Sequence, residues 1–266
     1  MSDAPLKLTY ALKDGVITHI SKVESGLACG CICPACGDKL IAKKGTIVRH
    51  HFAHHSKEPC EYGLETALHL AAKEIIASAK EMTIPQVKLR FPYSYRSDIL
   101  IHESMKVQID HVELEKRFED IVPDIAVYSG KKKFFVEIFV THAIDERKLE
   151  KIKKMDISTI EIDLRELRDL SDEAELKKVI LEDNPKKIWK YNRVTEKLLQ
   201  KYIAASEKLW IKHRGFAVHV DNCPKKMRTW RGKIYANVTD DCLACESLVS
   251  WGGESNYILC IGKQEE

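Results

Sequence analysis

The stretch 123–148 places two carboxylates inside an otherwise apolar pair of predicted strands. The first run, PDIAVYS, carries Asp124 at its start, and the second, FFVEIFV, carries Glu137 in its middle. Gly130 and a lysine triplet at 131–133 separate the two runs, a pattern that predicts a β-hairpin. An acid within such a strand is costly unless it is paired or faces a cation. Two carboxylates at the ends of adjacent strands provide the oxygen ligands that Mg²⁺ prefers.

The composition is that of a globular protein, with 31% charged and 44% hydrophobic residues in 266. The net charge of +3 is only mildly basic and by itself identifies no partner. No apolar run approaches the ~18 residues of a membrane span. The N-terminus also lacks the basic and then apolar pattern of a secretory signal. We therefore expect a cytoplasmic protein that does not bind a membrane.

Nine cysteines fall into an early and a late group, a distribution that indicates metal ligands rather than disulfides in a reducing compartment. In the early group a Cys-x-x-Cys pair is followed by a His pair about 15 residues later, which predicts a closed, structural Zn²⁺ site. The predicted ligands are Cys33, Cys36, His51 and His54. Nearby alternatives, of which Cys31 or Cys60 could replace one of the four, are Cys29, Cys31, Cys60, His50 and His55.

The late group predicts a second structural zinc site, a zinc ribbon with four cysteine ligands. Its ligands are Cys223, Cys242, Cys245 and Cys260, with His219 as an alternative. The loop between these cysteines mixes basic and aromatic residues, as nucleic-acid surfaces do. The residues of this loop are Lys225, Lys226, Arg228, Trp230 and Arg231.

The strongest helix signal covers 61–80, where Glu65, His69 and Lys73 form one polar stripe. The stripe is either a solvated face or part of a site. Strands are expected between 84 and 120, and Glu115 is the acid there that lies nearest to the strand end leading to Asp124. A basic helix and the strand STIEIDL follow the hairpin, so the core is α/β.

Residues 165–214 are predicted to be mostly helical. Asn184 and Pro185 have the pattern of a helix cap and a first helical residue. Apolar residues from Ile188 to Leu209 then follow a helical spacing, and the basic residues between them form either a phosphate-contacting or a solvated face.

The motifs CPxC…HFAH, ETALHLAAKE and PD…VEI…TH together resemble the competence protein CoiA-like family, whose central domain belongs to the PD-(D/E)XK nuclease superfamily. The resemblance covers about residues 25–165, and the late pattern CP…DCxxC…C is similar to the tail of these proteins. It implies a restriction-endonuclease-like core with a mixed central sheet, flanked by an N-terminal zinc finger and a C-terminal zinc ribbon. The expected segments are a zinc-binding domain at 1–60, a nuclease core at 61–168, a basic helical linker at 169–214 and the ribbon at 215–266.

By this resemblance, Asp124 and Glu137 bind the catalytic Mg²⁺ or Mn²⁺ of a nuclease. Phe139 stands where the superfamily has a lysine. Lys148 is the first candidate to replace that lysine, and Lys73 and the turn lysines near Lys133 are the others. The remaining candidates are Glu65 as a helical acid, His69 as a ligand or phosphate contact, His142 as a strand-end residue, and Glu115.

The expected function is a metal-dependent deoxyribonuclease that acts on DNA in competence, recombination or defence against foreign DNA. Phe139 keeps open a DNA-binding accessory protein with an inactive core, and a zinc scaffold for protein partners is the third interpretation. A homodimer is compatible with double-strand cleavage. The expected DNA contacts are Lys73, Lys131, Lys132, Lys133, Arg228 and Arg231.

Overall fold

The computed structural model describes residues 7–56, 60, 62–169, 172–251 and 256–262. The α-helices are α1 (Gly63–Ser78), α2 (Glu146–Lys154), α3 (Glu173–Leu181) and α4 (Arg193–Ala205). The strands are β1 (Tyr10–Lys13), β2 (Val16–His19), β3 (Leu40–Lys43), β4 (His51–His54), β5 (Glu81–Ile84), β6 (Val87–Leu89), β7 (Ile99–His102), β8 (Met105–Gln108), β9 (His111–Leu114), β10 (Ile125–Ser129), β11 (Lys132–Phe139), β12 (Thr159–Asp163), β13 (Lys187–Tyr191), β14 (Glu207–Arg214), β15 (Ala217–Asp221), β16 (Arg228–Trp230), β17 (Lys233–Asn237), β18 (Leu248–Ser250) and β19 (Tyr257–Cys260).

The chain divides into two compact units, and each unit is formed by two separate segments of the sequence. The first contains residues 1–85 and 104–192, and the second contains 86–103 and 193–266. The expected linker at 169–214 is therefore divided between them. The mixed α/β class predicted from the sequence is confirmed. No helix in the described ranges is long and apolar enough to span a membrane.

A five-stranded mixed sheet forms the centre of the first unit, in the order β13-β12-β11-β10-β9. Strands β10 and β11 form the predicted antiparallel hairpin, and β11 pairs with β12 in parallel. Helices cover both faces. Ile125 and Val136 pack with α1 residues on one face, whereas Ala126 and Phe135 pack with α2 residues on the other. Because both faces of the hairpin are buried, its sequence is a nearly continuous apolar run rather than an alternation of apolar and polar residues.

Smaller hairpins precede this sheet. Strands β1 and β2 are joined at Asp14 and Gly15, both with positive φ, the backbone that a two-residue turn requires. Strands β3 and β4 form a second pair in which Leu40 lies opposite His54. Buried residues of these pairs, among them Tyr10, Leu40 and Phe52, join the core of the first unit, and a cluster of sulfur and nitrogen ligands lies beside them.

The predicted helix beginning at Asn184 is wrong. The Oδ1 atom of Asn184 accepts a hydrogen bond from Lys186 N at 2.9 Å, which closes a turn, and residues 187–191 then extend as β13 beside β12. Tyr191 and Trp189 pack onto the sheet, and α4 begins only at Arg193. Residues 207–214 are also a strand rather than the end of that helix. Sheet pairing overrides the local helical spacing in both places.

The second unit is built on a six-stranded sheet in the order β16-β17-β15-β14-β19-β18. One core lies against this sheet and includes Val220, Ala236 and Ile258. A second core joins Phe91 and Val249 to residues of α4. The chain therefore has separate hydrophobic cores in its two units.

Lys187 is a buried cation of the first unit. Its Nζ donates to the carbonyls of Thr83 at 2.9 Å and Glu182 at 2.6 Å. Burial lowers the pKa of Lys187 to about 8, whereas an unfolded lysine titrates near 10.4. Since the unfolded chain then holds more protons between these two pH values, stability rises with pH across the interval.

We expect the wild-type protein to gain about 2–3 kcal/mol of stability relative to Lys187→Met between pH 8 and pH 10.5. Methionine does not titrate, so the difference in unfolding free energy isolates the lysine. Urea denaturation at several pH values measures it, with Lys88→Met as an exposed control. Parallel pH profiles for wild type and Lys187→Met would contradict the lowered pKa.

Candidate functional site

Asp124 and Glu137 come together at one end of the β10–β11 hairpin. Ile125 lies opposite Val136, so the residue before β10 is adjacent to the end of β11 that carries the glutamate. The Oδ2 atom of Asp124 accepts a hydrogen bond from Ile138 N at 2.8 Å, which turns the carboxylate across to β11. The register of one hairpin therefore pairs the two acids predicted from the sequence.

Helix α1 supplies the basic side chains around Asp124. The Nε2 atom of His69 lies 2.9 Å from Oδ2, and the Nζ of Lys73 lies 3.6 Å from Oδ1. Burial raises the pKa of Asp124, but the hydrogen bonds from His69 and Ile138 N and the charge of Lys73 outweigh it, so the pKa is lower than usual. Two residues of the polar stripe of α1 thus contact Asp124, which is ionised beside them.

Glu137 is buried and depends on a cation from α2. Lys148 Nζ donates to its Oε2 at 2.6 Å, whereas its Oε1 is buried with no hydrogen-bond partner among the described residues. Burial and then the negative charge of Asp124 raise the pKa of Glu137 to about 7, against the opposing effect of Lys148. A buried carboxylate oxygen without a donor calls for a partner such as a bound ion or a water molecule.

Phe139, at the position of the superfamily lysine, packs under a different cation. The Arg165 guanidinium lies 4.3 Å from the centre of its ring and pairs with Asp163. Lys148, the first candidate for the replacement, contacts Glu137. The turn lysines lie farther away, because Lys133 is separated from Glu137 by about 13 Å of extended strand.

Glu65 and Glu115 occupy different environments. Glu65 lines the same cleft as Asp124 and Glu137, and it accepts a hydrogen bond from the Thr141 hydroxyl. Glu115 does not line that cleft. Its Oε1 accepts a hydrogen bond from Lys73 at 2.6 Å, and its side chain is 65% exposed. Glu115 therefore holds the cation behind Asp124 rather than facing a ligand.

The cleft itself has a volume of about 510 Å³ and contains an acid that the sequence reasoning missed. Glu161 on β12 lies opposite Glu137 in the parallel pairing, so both side chains are on one face of the sheet. It is buried, as Glu137 is. The available signal was the run STIEIDL, which carries an acid among apolar strand residues as FFVEIFV does. His142 also lines this cleft.

Glu161 fixes the loop that follows β11. Its Oε2 accepts a hydrogen bond from Ile144 N at 2.9 Å, and its Oε1 lies 3.2 Å from Lys190 Nζ. The loop continues to Asp145, whose side chain caps α2 by accepting from Lys148 N at 2.8 Å. Glu161 thus positions the start of the helix that delivers Lys148 to Glu137.

We expect Glu161→Ala to accelerate hydrogen exchange of the Ile144 amide about tenfold, because the amide loses a charged acceptor. Glu161→Gln keeps an acceptor oxygen and preserves most of the protection. Exchange of the Ile138 amide, which donates to Asp124, is the internal control. Amide exchange followed by NMR measures all three. Equal protection of Ile144 in wild type and Glu161→Ala would remove Glu161 from this role.

The early cysteine group forms a compact ligand cluster. Cys33, Cys36, His54 and Cys60 each offer an atom within 4.8 Å of the others. His54 Nε2 is buried and accepts or donates no hydrogen bond within the described ranges, and the sulfurs of Cys33 and Cys60 are 3.9 Å apart. Three sulfurs and one imidazole suit tetrahedral Zn²⁺. The residues present therefore fit a zinc ion.

His51 is not part of this cluster, which corrects its predicted role, and Cys60 takes its place. The His51 Nδ1 lies 2.9 Å from the carbonyl oxygen of Arg49. On β4, His51 and His54 are three residues apart, so their side chains leave opposite faces of the strand. The spacing of the two histidines along the sequence could not show which of them faces the sulfurs.

The cluster also sets the start of α1. A Cβ on Gly63 would lie 3.3 Å from Cys33 Sγ and 3.4 Å from Cys60 Sγ, so glycine permits the close approach. Helix α1 begins at this glycine and carries His69 and Lys73 to Asp124. The metal-ligand cluster and the acidic cleft thus share one helix.

Cys60→Ser should remove about one equivalent of zinc per chain, since it deletes one of four ligands. His51→Ala should retain the wild-type zinc content and serves as the matched control. Elemental analysis of the purified proteins measures both. Loss of zinc in His51→Ala together with retention in Cys60→Ser would contradict the assignment.

Residues 20–63 match the family model described as Competence protein CoiA, N-terminal domain. The match contains the whole ligand cluster and ends at the first residue of α1. This part of the chain is CoiA-like. Comparisons of the chain with curated proteins and with solved structures found no match. The sheet that carries Asp124 and Glu137 lies outside the matched segment.

The late cysteines line one small pocket of the second unit. These residues are Cys223, Cys242, Cys245 and Cys260. Burial and then the other three thiols raise the pKa of Cys242 to about 12. Within the described ranges, no three of these sulfurs lie within 4.8 Å of one another, in contrast to the ligand atoms of the first cluster. His219 packs against Tyr235 and does not line the pocket.

The expected DNA contacts differ in their surroundings. Lys73 is buried beside Asp124, which removes it from any surface. The 131–133 triplet lies at the hairpin turn, and Lys133 Nζ is 4.5 Å above the Phe118 ring. In the second unit, Arg228 Nε pairs with Asp241 at 2.7 Å, whereas Arg231 lies over the Trp230 ring.

Proposed function

We propose that this CoiA-like chain is a metal-dependent deoxyribonuclease with a competence-related role. The family named by the N-terminal match carries the competence assignment. The observation that carries the nuclease assignment is the pair Asp124 and Glu137, with the unpartnered Oε1 of Glu137 beside an open cleft within the described part of the chain. The mixed sheet and the PD…VEI pattern support a PD-(D/E)XK core.

Asp124 and Glu137 are the residues that would hold Mg²⁺ or Mn²⁺. Mg²⁺ is usually bound by one or two carboxylates, and water and substrate phosphate complete its coordination. The pair of carboxylates here fits that coordination. Such an ion would lower the pKa of water and offset charge on the phosphate. Among the described residues the carboxylates of the cleft do not form a group of three close ligands, so water and substrate would have to supply the remaining ligands of such an ion.

The surrounding side chains hold the reacting groups in place. His69 orients Asp124 through Oδ2, and Glu161 positions the loop before α2. Lys148 Nζ contacts Glu137 and is the group that would donate to a phosphate oxygen. Lys73 is paired with Glu115, and its positive charge favours the ionised form of Asp124. His142 at the cleft margin is suited to orient water.

Zinc is proposed to be structural in both units. In the first, Cys33, Cys36, His54 and Cys60 would fix the start of α1 relative to the cleft. In the second, the four late cysteines would form a zinc ribbon, as their common pocket suggests.

The alternative is a DNA-binding accessory protein with an inactive core. Phe139 favours it, because an aromatic ring stands at the lysine position and the cation above that ring, Arg165, is itself paired with Asp163. The alternative predicts DNA binding without cleavage under any metal.

Asp124→Ala and Glu137→Ala should each reduce Mg²⁺-dependent DNA cleavage about a thousandfold, because a bound ion supplies several kcal/mol. Lys148→Ala should reduce it about a hundredfold, as loss of one charge-stabilising donor does. Lys80→Ala, at an exposed position beyond the end of α1 that does not line the cleft, is the matched control and should cleave as wild type does.

Plasmid and linear DNA with Mg²⁺, Mn²⁺ or no added metal provide the assay, and zinc content verifies the fold of each variant. Cleavage that persists in both acid variants would refute the site. An intact DNA substrate with wild-type protein under all metals would favour the accessory role instead.

A further inference from the structure

The six-stranded sheet of the second unit has one face turned away from the core that contains Val220. On β18 and β19 helix α4 covers part of this face, because Val249 and Leu259 pack with α4 residues. Leu209, Val218 and Ile234 point into the core, so alternate residues of the same strands point outward. We call this surface the outer face. It is formed by Lys208, Trp210, Arg214, Trp230, Tyr235 and Tyr257.

Registers of four strand pairs place these residues on one side. Ile211 lies opposite Val220, which in turn lies opposite Ala236, and these inward residues fix the phase of the sheet. Trp210 lies opposite Tyr257. At the other end, Trp230 lies opposite Lys233, two residues before Tyr235. The aromatic residues of the outer face therefore extend across β19, β14, β17 and β16.

Two large rings on this face are left in water. Trp210 is 61% exposed and Trp230 is 56% exposed. Phe216, at the tip of the β14–β15 hairpin, is fully exposed. Gly215, with φ of 66°, opens the two-residue turn that presents this phenylalanine. Exposed aromatic residues gathered on one sheet and its hairpin tip indicate a binding surface rather than scattered surface residues.

Each aromatic group is accompanied by a cation. Lys208 Nζ lies 4.7 Å from the Tyr257 ring, and Arg231 lies 4.6 Å from the Trp230 ring. Arg214 lies 5.8 Å from the Tyr235 ring. Asp221 on this face is shared by Lys212 and Arg214 at 2.5 Å each, so one carboxylate balances two cations. The surface is therefore both aromatic and positively charged.

We propose that the outer face binds single-stranded DNA. Unpaired bases stack on aromatic rings while lysine and arginine side chains take the phosphates. In duplex DNA the base faces are already stacked, so exposed rings offer it little. Trp210 and Trp230 lie on strands three places apart, about 14 Å, which accommodates about four stacked nucleotides. The choice of DNA over RNA rests on the proposed deoxyribonuclease function, whereas the single-strand preference rests on the surface alone.

Fluorescence anisotropy of the full-length protein with a labelled oligothymidylate of about 15 nucleotides, a length within the usual site size, tests the proposal. Zinc-loaded protein is used without added Mg²⁺ or Mn²⁺, so that binding is measured without cleavage. Trp210→Ala/Trp230→Ala should bind at least about tenfold more weakly, since each lost stacking contact weakens binding by about that factor. Trp210→Phe/Trp230→Phe should restore most of the affinity, because it keeps two aromatic rings.

Tyr95→Ala is the matched control, since Tyr95 is an exposed aromatic residue of the same unit outside the sheet, and it should bind as wild type does. Binding of wild type should also weaken with salt and should exceed binding to a duplex of the same length. Unchanged affinity in the double alanine variant, or equal affinity for duplex, would overturn the proposal. Tighter binding to an oligouridylate would overturn the choice of DNA.

Asp124→Ala separates this proposal from the proposed function. It should lose cleavage and keep oligothymidylate binding, because it lies in the other unit. A protein that cleaves DNA but shows no aromatic-dependent binding would refute the outer face alone. A protein that binds through the tryptophans but does not cleave would refute the nuclease alone.

Discussion

Charge compensation around two carboxylates, the half-buried Asp124 and the buried Glu137, is the constraint on which the first unit depends. Asp124 and Glu137 lie at the end of a sheet whose faces are covered by helices, where an unpaired charge is expensive. His69 of helix α1 pairs with Asp124, and Lys148 of helix α2 pairs with Glu137. The two helices thus bring basic side chains to the same end of the sheet.

The need to compensate carboxylate charges also explains the elements at the edges of the cleft. Glu161, next to Glu137, is paired with Lys190 on β13 and with the amide of Ile144. The strand β13, where a helix was expected, therefore contributes a cation to a buried acid as well as closing the sheet. In contrast, Oε1 of Glu137 has no donor among the described residues, and this unsatisfied oxygen distinguishes the cleft from a set of structural ion pairs.

The metal-ligand cluster gives the N-terminal hairpins a second role. Their buried residues, among them Tyr10, Leu40 and Phe52, join the core of the first unit, and a zinc ion there would add folding energy. Because Gly63 lies against two of its sulfurs, the same ion would also hold the first turn of α1. The segment matched to the CoiA N-terminal domain ends at that glycine, where the ligand cluster meets the helix of the acidic cleft.

Features that depend on local spacing could be predicted from the sequence, whereas features that depend on the register between strands could not. The sequence by itself determined the hairpin, its two acids, the α1 stripe and the early cysteine–histidine group, because these depend on local spacing and composition. The helical spacing from Ile188 to Leu209 hid β13 and the start of β14, and with them the face that carries Trp210. Only the tertiary structure decided that Cys60 rather than His51 joins the cluster, since strand parity sends the two histidines of β4 to opposite faces. It also decided that Glu161 faces the cleft and that Glu115 does not, because these outcomes depend on register and on contacts between distant segments, which spacing along the chain does not encode.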